Sequence, residues 1–151
     1  MQPSEQLFAL TTQREGSRQF PYRDQNGNLT VGVGHLILPG EDFSAGLTPD
    51  QQQTLLHSDM AKAVAIVNTE LASEIAAGNV TQGEFDALCD AVFNMGDFLK
   101  GSTLLRLLAA GDTAGAEQQL ARWDFAGGKP SAGLEARRIA EMALWAKGEQ
   151  G

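Results

Sequence analysis

Cysteine is all but missing from this 151-residue chain. The lone Cys89 has no partner for an internal disulfide, so folding does not depend on an oxidising compartment. Basic residues are scarce as well: 11 Lys and Arg stand against 19 Asp and Glu, a net charge of −8. That sign argues against a nucleic-acid partner, which needs a basic face, and against electrostatic docking to an anionic membrane. Histidine occurs only at His35 and His57, and no Cys/His cluster has zinc spacing, so no metal is expected. Long apolar runs are absent too. The opening M-Q-P-S-E-Q-L-F-A-L-T-T-Q-R-E has no cationic n-region, and we expect no signal peptide, signal anchor or membrane insertion. What is present is ordinary: 42% apolar residues, enough for a real core in one domain or two small lobes.

The pattern changes once along the chain. Ser4 to Arg14 reads as a short helix capped by Ser4, with Leu7, Phe8 and Leu10 on its apolar side and Gly16 as its stop. From Phe20 to Leu38 the signal is strand, turned at Asn26-Gly27. Leu29, Val31 and Val33 then alternate with Thr30, Gly32 and Gly34, a core face against a bare one. The rest is helical. Thr48-Pro49-Asp50 opens a helix to about Asn68, with Leu55, Leu56, Met60, Val64 and Val67 as its stripe. Thr81 caps a helix carrying Phe85, Leu88, Cys89 and Val92, closed by Gly96. Ser102 caps a short helix ending at Gly111, and another begins at Asp112 or Thr113 and runs to about Trp123. Ala126 to Pro130 reads as a loop. Ala132 to Lys147 is the last helix, with Leu134, Ile139, Met142 and Trp145 inward and Arg137, Arg138 and Glu141 at pairing distance. The expected fold class is α+β, a small sheet followed by a helical body with a cleft between lobes.

Glu15 and Asp24 are the residues with chemical promise. Cleaving a glycosidic bond takes one protonated carboxyl and one ionised carboxylate. Glu15 falls at a helix end, where the dipole disfavours its charge, and near apolar residues such as Phe20, which favours the acid role. Asp24 falls on a polar turn and should stay ionised. Thr30 offers a hydroxyl that can position water. Spacing alone does not separate this from two ordinary surface acids and a plain β-former. His35 falls on the Val31/Val33 face and reads as a structural histidine, held by a hydrogen bond or ion pair between strand and helices. His57 reads as helix surface and Cys89 as inert core. Trp123 and Trp145 read as core anchors, Trp123 having the better claim to line a cleft.

The spacing Glu-x8-Asp-x5-Thr and the strand T-V-G-V-G-H resemble the phage-type lysozymes of glycoside hydrolase family 24. So do F-N-M-G at Phe93 to Gly96, S-T-L-L at Ser102 to Leu105 followed by A-A-G-D, W-D-F-A-G-G-K from Trp123, and G-L-E-A-R-R-I-A-E-M-A-L-W from Gly133. Nearly the whole chain is covered, in order.

The resemblance implies a lysozyme-like α+β fold: a small N-terminal antiparallel sheet lobe and a larger helical C-terminal lobe around a cleft. It implies one domain over residues 1–151, with a helix and sheet lobe at about 15–47, a connecting helix at about 48–68 and a helical lobe at about 69–151. The implied activity is hydrolysis of the β-1,4 bond between N-acetylmuramic acid and N-acetylglucosamine in peptidoglycan, causing lysis. Glu15 maps to the general acid, and Asp24 and Thr30 to the pair holding the attacking water, with inversion. Gly32, Gly34, His35, Leu36 and Asn94 map to the substrate side. No metal or organic cofactor is implied. The expected partner is the glycan strand, met by a monomer that is made in a host cytoplasm and acts in the periplasm or wall after release. The chain departs from the family in charge: its pI near 4.6 sets it against an anionic wall. A lytic transglycosylase and a noncatalytic peptidoglycan-binding module of the same fold are the alternatives.

Overall fold

Thr48 and Gln51 trade hydrogen bonds at the start of the longest helix. The Thr48 N–H donates to Gln51 Oε1 at 2.8 Å, and the Gln51 N–H donates to Thr48 Oγ1 at 3.2 Å. This capping box, with Pro49 at the first helical position, launches a helix over Pro49–Glu70. The computed structural model describes residues 1–148; the last three positions of the expected 1–151 domain lie outside the described residues. Contacts divide the chain into two compact units, residues 8–61 and residues 1–7 with those from 62 onward. In chain order the elements are α1 (Glu5–Glu15), β1 (Arg18–Arg23), β2 (Leu29–Gly32), β3 (His35–Leu36), α2 (Pro49–Glu70), α3 (Ala72–Ala76), α4 (Gln82–Met95), α5 (Thr103–Ala109), α6 (Thr113–Leu120), β4 (Phe125–Ala126), β5 (Lys129–Pro130) and α7 (Ala132–Gly148). The fold is α+β, as the sequence suggests.

In the unit of residues 8–61, β1, β2 and β3 form an antiparallel sheet in that order. Tyr22 pairs with Thr30, Thr30 with Leu36, and Val31 with His35. The expected single strand through Leu38 is therefore two strands. Gly34, at φ +72°, turns the chain after Val33, a conformation that costs a side-chain-bearing residue dearly. The expected alternation also fails at Leu29, which is 41% exposed, whereas Thr30, Val31 and Gly32 are all buried. Gln52 secures the sheet to α2: Ser17 donates to its Oε1, and its Nε2 donates to the Leu47 carbonyl at 3.1 Å. Gln53 reaches Thr12 of α1 at 3.3 Å.

In the other unit α4 runs through the middle, with every residue from Gly83 to Val92 buried. Thr81 caps it in a full capping box with Glu84, and Gly96 ends it at φ +78°. α7 packs along α4, α5 against α6, and α6 against α7. Ser102 and Asp112 cap α5 and α6 through their side chains.

Ser4 directly precedes α1, and its hydroxyl donates to Asp86 of α4. Three expectations need correction here. Residues 126–130 are not a plain loop: Gly127 and Gly128 turn the β4–β5 hairpin. α6 stops at Leu120, which leaves Trp123 44% exposed rather than a core anchor. Ile139 points outward at 60% exposure, one position from the buried Arg138. Trp145 is fully buried, as expected. So is Cys89, whose thiol is pushed well above its usual pKa by burial, consistent with inert core.

Candidate active site

Glu15 is the last residue of α1, and Gly16 leaves the helix at φ +74° with its N–H on the Thr12 carbonyl at 3.0 Å. The carboxylate thus stands half-buried at a helix C-terminus. It lies directly over the β2–β3 turn: a β-carbon on Gly34 would sit 3.2 Å from Glu15 Oε2 and 3.4 Å from its Cδ. A side chain at Gly34 would crowd the acid as well as strain the turn. The apolar neighbour expected for Glu15 is elsewhere, since Phe20 is 54% exposed and covers Gly46.

Asp24 sits on a turn rich in hydrogen-bond donors. Its Oδ1 accepts the N–H groups of Asn26 and Asn28, each at 2.8 Å, and its Oδ2 accepts the Asn28 side-chain amide at 3.1 Å. These donors, the Asn28 N–H foremost, hold its pKa below the ordinary Asp value, so the group is a carboxylate at neutral pH. The turn repeats the logic in its backbone, with Asp24 and Asn28 bonded N–H to O at 2.9 Å and Gly27 at φ +82°.

Thr30, 4% exposed, donates its hydroxyl to the Asn28 carbonyl at 3.1 Å, which leaves the oxygen lone pairs as acceptors. Its strand partners Tyr22 and Leu36 share its face of the sheet. Gly32 lies against Leu47 and Gln52. Leu36 is 50% exposed.

His35 is clamped on both ring nitrogens. Nδ1 is 2.7 Å from Asp59 of α2 and Nε2 is 2.9 Å from Glu41. Burial lowers its pKa, but the two carboxylates outweigh that and leave it raised. Glu41 also accepts the Leu38 N–H at 2.8 Å, so one acid fixes both the ring and the chain leaving the sheet.

In the other unit, Asn94 Oδ1 accepts Arg138 Nη2 at 2.9 Å, which turns the amide N–H groups away from that guanidinium. Arg138 bonds Glu141 at 2.7 Å, and Arg137 grips Asp90 through two bonds of 3.0 Å. Burial, with Asp90 nearby, pushes the Glu141 pKa up to about 9 although Arg138 opposes the shift.

Residue reading missed Tyr22, Glu41, Asp59 and Asp90. Tyr22 lies near the end of β1, and only its pairing with Thr30 singles it out. Asp59 and Asp90 are acids on otherwise apolar helix faces and had no signal beyond that.

The fold defines the class as lysozyme-like. The endolysin from Escherichia coli O157:H7 phage FAHEc1 matches with a TM-score of 0.82 at 28% identity, covering 96% of this chain and 93% of that one. A P22 lysozyme variant matches with a TM-score of 0.76 at 30% identity, covering 97% and 99%. The endolysin of Acyrthosiphon pisum secondary endosymbiont phage 1 is 35% identical over 152 residues, 96% of this chain and 98% of its own. The phage lysozyme family model matches residues 12–141, and the chain belongs to that family. It is a glycoside hydrolase, a muramidase that lyses peptidoglycan. Among the described residues no helix is long and apolar enough to cross a membrane.

Proposed function

We propose that Glu15, Asp24 and Thr30 carry out this hydrolysis with inversion at the anomeric carbon. Glu15 donates its proton to the glycosidic oxygen as the bond to N-acetylglucosamine breaks. Water held by Asp24 and Thr30 attacks the muramic acid carbon from the opposite face and gives its proton to Asp24. The observation that most supports this reading is the closeness of Glu15 to Gly34, which brings the acid to the turn at the end of the Thr30 strand. The setting of Asp24 agrees with it: three N–H donors keep that group ionised, as an acceptor of the water's proton must be. Leu36, Gly32 and Gly34 are assigned to the substrate side, with Asn94 offering its amide N–H groups. His35, both of whose nitrogens are engaged, supports the strand end rather than taking part in proton transfer.

The wider reading is one catalytic domain acting as a monomer on glycan strands in the periplasm or wall, after synthesis in a host cytoplasm. The charge of −8 argues against nucleic acid as a further partner.

Turbidity loss of permeabilised bacteria tests the acid. Glu15→Gln should abolish it with an unchanged melting temperature, and full activity in that variant would refute the assignment. Proton NMR of the first product tests inversion, which requires the α-anomer to appear before mutarotation. A 1,6-anhydro end detected by mass spectrometry would instead mean transglycosylation. Peptidoglycan binding with no reducing sugar released would mean a noncatalytic module.

A further inference from the structure

Tyr22 is the only tyrosine in the chain, and the mechanism above leaves it unused. It is half-buried on β1, directly opposite Thr30 on β2, so the phenol and the Thr30 hydroxyl rise from the same face of the sheet. The Arg18 guanidinium lies over its ring, 4.5 Å from the centroid, and fixes the ring from one side. The carboxylates of both Glu15 and Asp24 act on the phenol. A half-buried tyrosine hydroxyl normally finds a hydrogen-bond partner. Here none of the described residues accepts from it, and the Asp24 oxygens are already engaged by Asn26 and Asn28.

We propose that Tyr22 is a further substrate-binding residue of this site, its phenol O–H donating to an oxygen of the N-acetylated sugar bound over Thr30. The proposal rests on the assignment of Glu15, Asp24 and Thr30 as the cleavage site. A sugar ring presents hydroxyl, ring and amide oxygens, any of which can accept from the phenol, whereas the nearby Asp24 oxygens are already committed to Asn26 and Asn28. The phenol also keeps its proton for this task. Burial raises its pKa, Arg18 lowers it, Glu15 and Asp24 raise it, and the balance is upward. Arg18 limits rotation of the ring, which reduces the entropy lost when the hydrogen bond forms.

The single tyrosine gives a direct test. Glu15→Gln protein labelled with carbon-13 at the tyrosine ζ position shows one such signal, free of hydrolysis. Titration with a tetrasaccharide of alternating N-acetylglucosamine and N-acetylmuramic acid should move that signal, saturating at the dissociation constant measured by calorimetry. With Glu15 intact, Tyr22→Phe should raise KM about three- to tenfold, the scale of one neutral hydrogen bond, at an unchanged melting temperature. A signal that stays fixed at saturation overturns the proposal without recourse to any variant of Tyr22. So does a Tyr22→Phe enzyme with parental KM. Turnover by Glu15→Gln would refute the catalytic assignment instead, so the two failures are distinguishable.

Discussion

Gly34 and Glu15 are close neighbours: a β-carbon on Gly34, in the turn between β2 and β3, would sit only 3.2 Å from Glu15 Oε2. A methyl group there would have to displace the acid by a few tenths of an ångström. It would also hold an L-residue at φ +72°, which costs roughly 1–2 kcal/mol. Gly34→Ala should therefore lose stability by about that amount and activity by more, about tenfold or beyond, because small misplacements of a catalytic group are costly. Melting curves and turbidity assays on the same preparation separate the two. Activity falling no further than stability explains would break the link between this glycine and the acid.

His35 gives the molecule a signed pH dependence. Its folded pKa lies above 6.5 because Asp59 and Glu41 together outweigh burial. As pH rises, the unfolded chain releases this proton first, so the folded state binds more protons over that interval and stability falls. The contribution is fully present below pH 6.5 and is lost as pH passes the folded value. His35→Asn should cost about 1.5–3 kcal/mol at pH 5.5, the scale of hydrogen bonds to charged groups. It should cost less at pH 8.5, and urea midpoints at the two values measure the difference. An equal loss at both would mean that the ring is held by packing, including its edge contact with Phe43, and not by charge.

Much of this was legible in the sequence, and the exceptions have physical causes. Caps at Thr48, Thr81, Ser102 and Asp112 could be read because a side-chain oxygen before an apolar run has few other uses. The strand end at Gly32 to Gly34 is ambiguous in sequence because two glycines fit a bare strand face and a turn equally well. Only the positive φ of both decides, and a sequence does not display φ. Ile139 failed because α7 buries Arg137, Arg138 and Glu141, so its inward stripe is partly charged and an apolar count selects the wrong face. The Glu15, Asp24 and Thr30 spacing was visible, whereas Tyr22 became conspicuous only once strand pairing set it opposite Thr30.

At Gly83 the backbones of α4 and α7 come close together. A β-carbon there would lie 2.4 Å from the Leu144 carbonyl oxygen and 2.6 Å from the Gly148 nitrogen, both backbone atoms that no rotamer change can move. Helix propensity favours Ala over Gly by about 1 kcal/mol, so a free helix would gain from Gly83→Ala. Here the clash should dominate, for a net loss of about 1–3 kcal/mol typical of overpacking. Thermal unfolding gives the sign directly, and stabilisation would show that the two helices can separate at little cost.

The buried charges of α4 and α7 make the strongest energetic prediction. Asp90 is fully buried, and Arg137 grips it with two bonds of 3.0 Å while lying 3.6 Å from Glu141. Removing one member leaves an uncompensated ion in the interior, a loss of about 3–5 kcal/mol. Arg137→Met should therefore be among the most damaging single changes to stability, although Arg137 has no assigned part in the chemistry. Asp90→Leu alone should be comparably severe, because it strands the guanidinium. The double variant should recover most of the loss, since apolar groups of similar size can replace a buried pair at little net cost. The coupling energy from that cycle, read by urea denaturation, should exceed about 2 kcal/mol. Additive losses would mean that Arg137 is held mainly by Glu141, and that Asp90 meets its needs without the guanidinium.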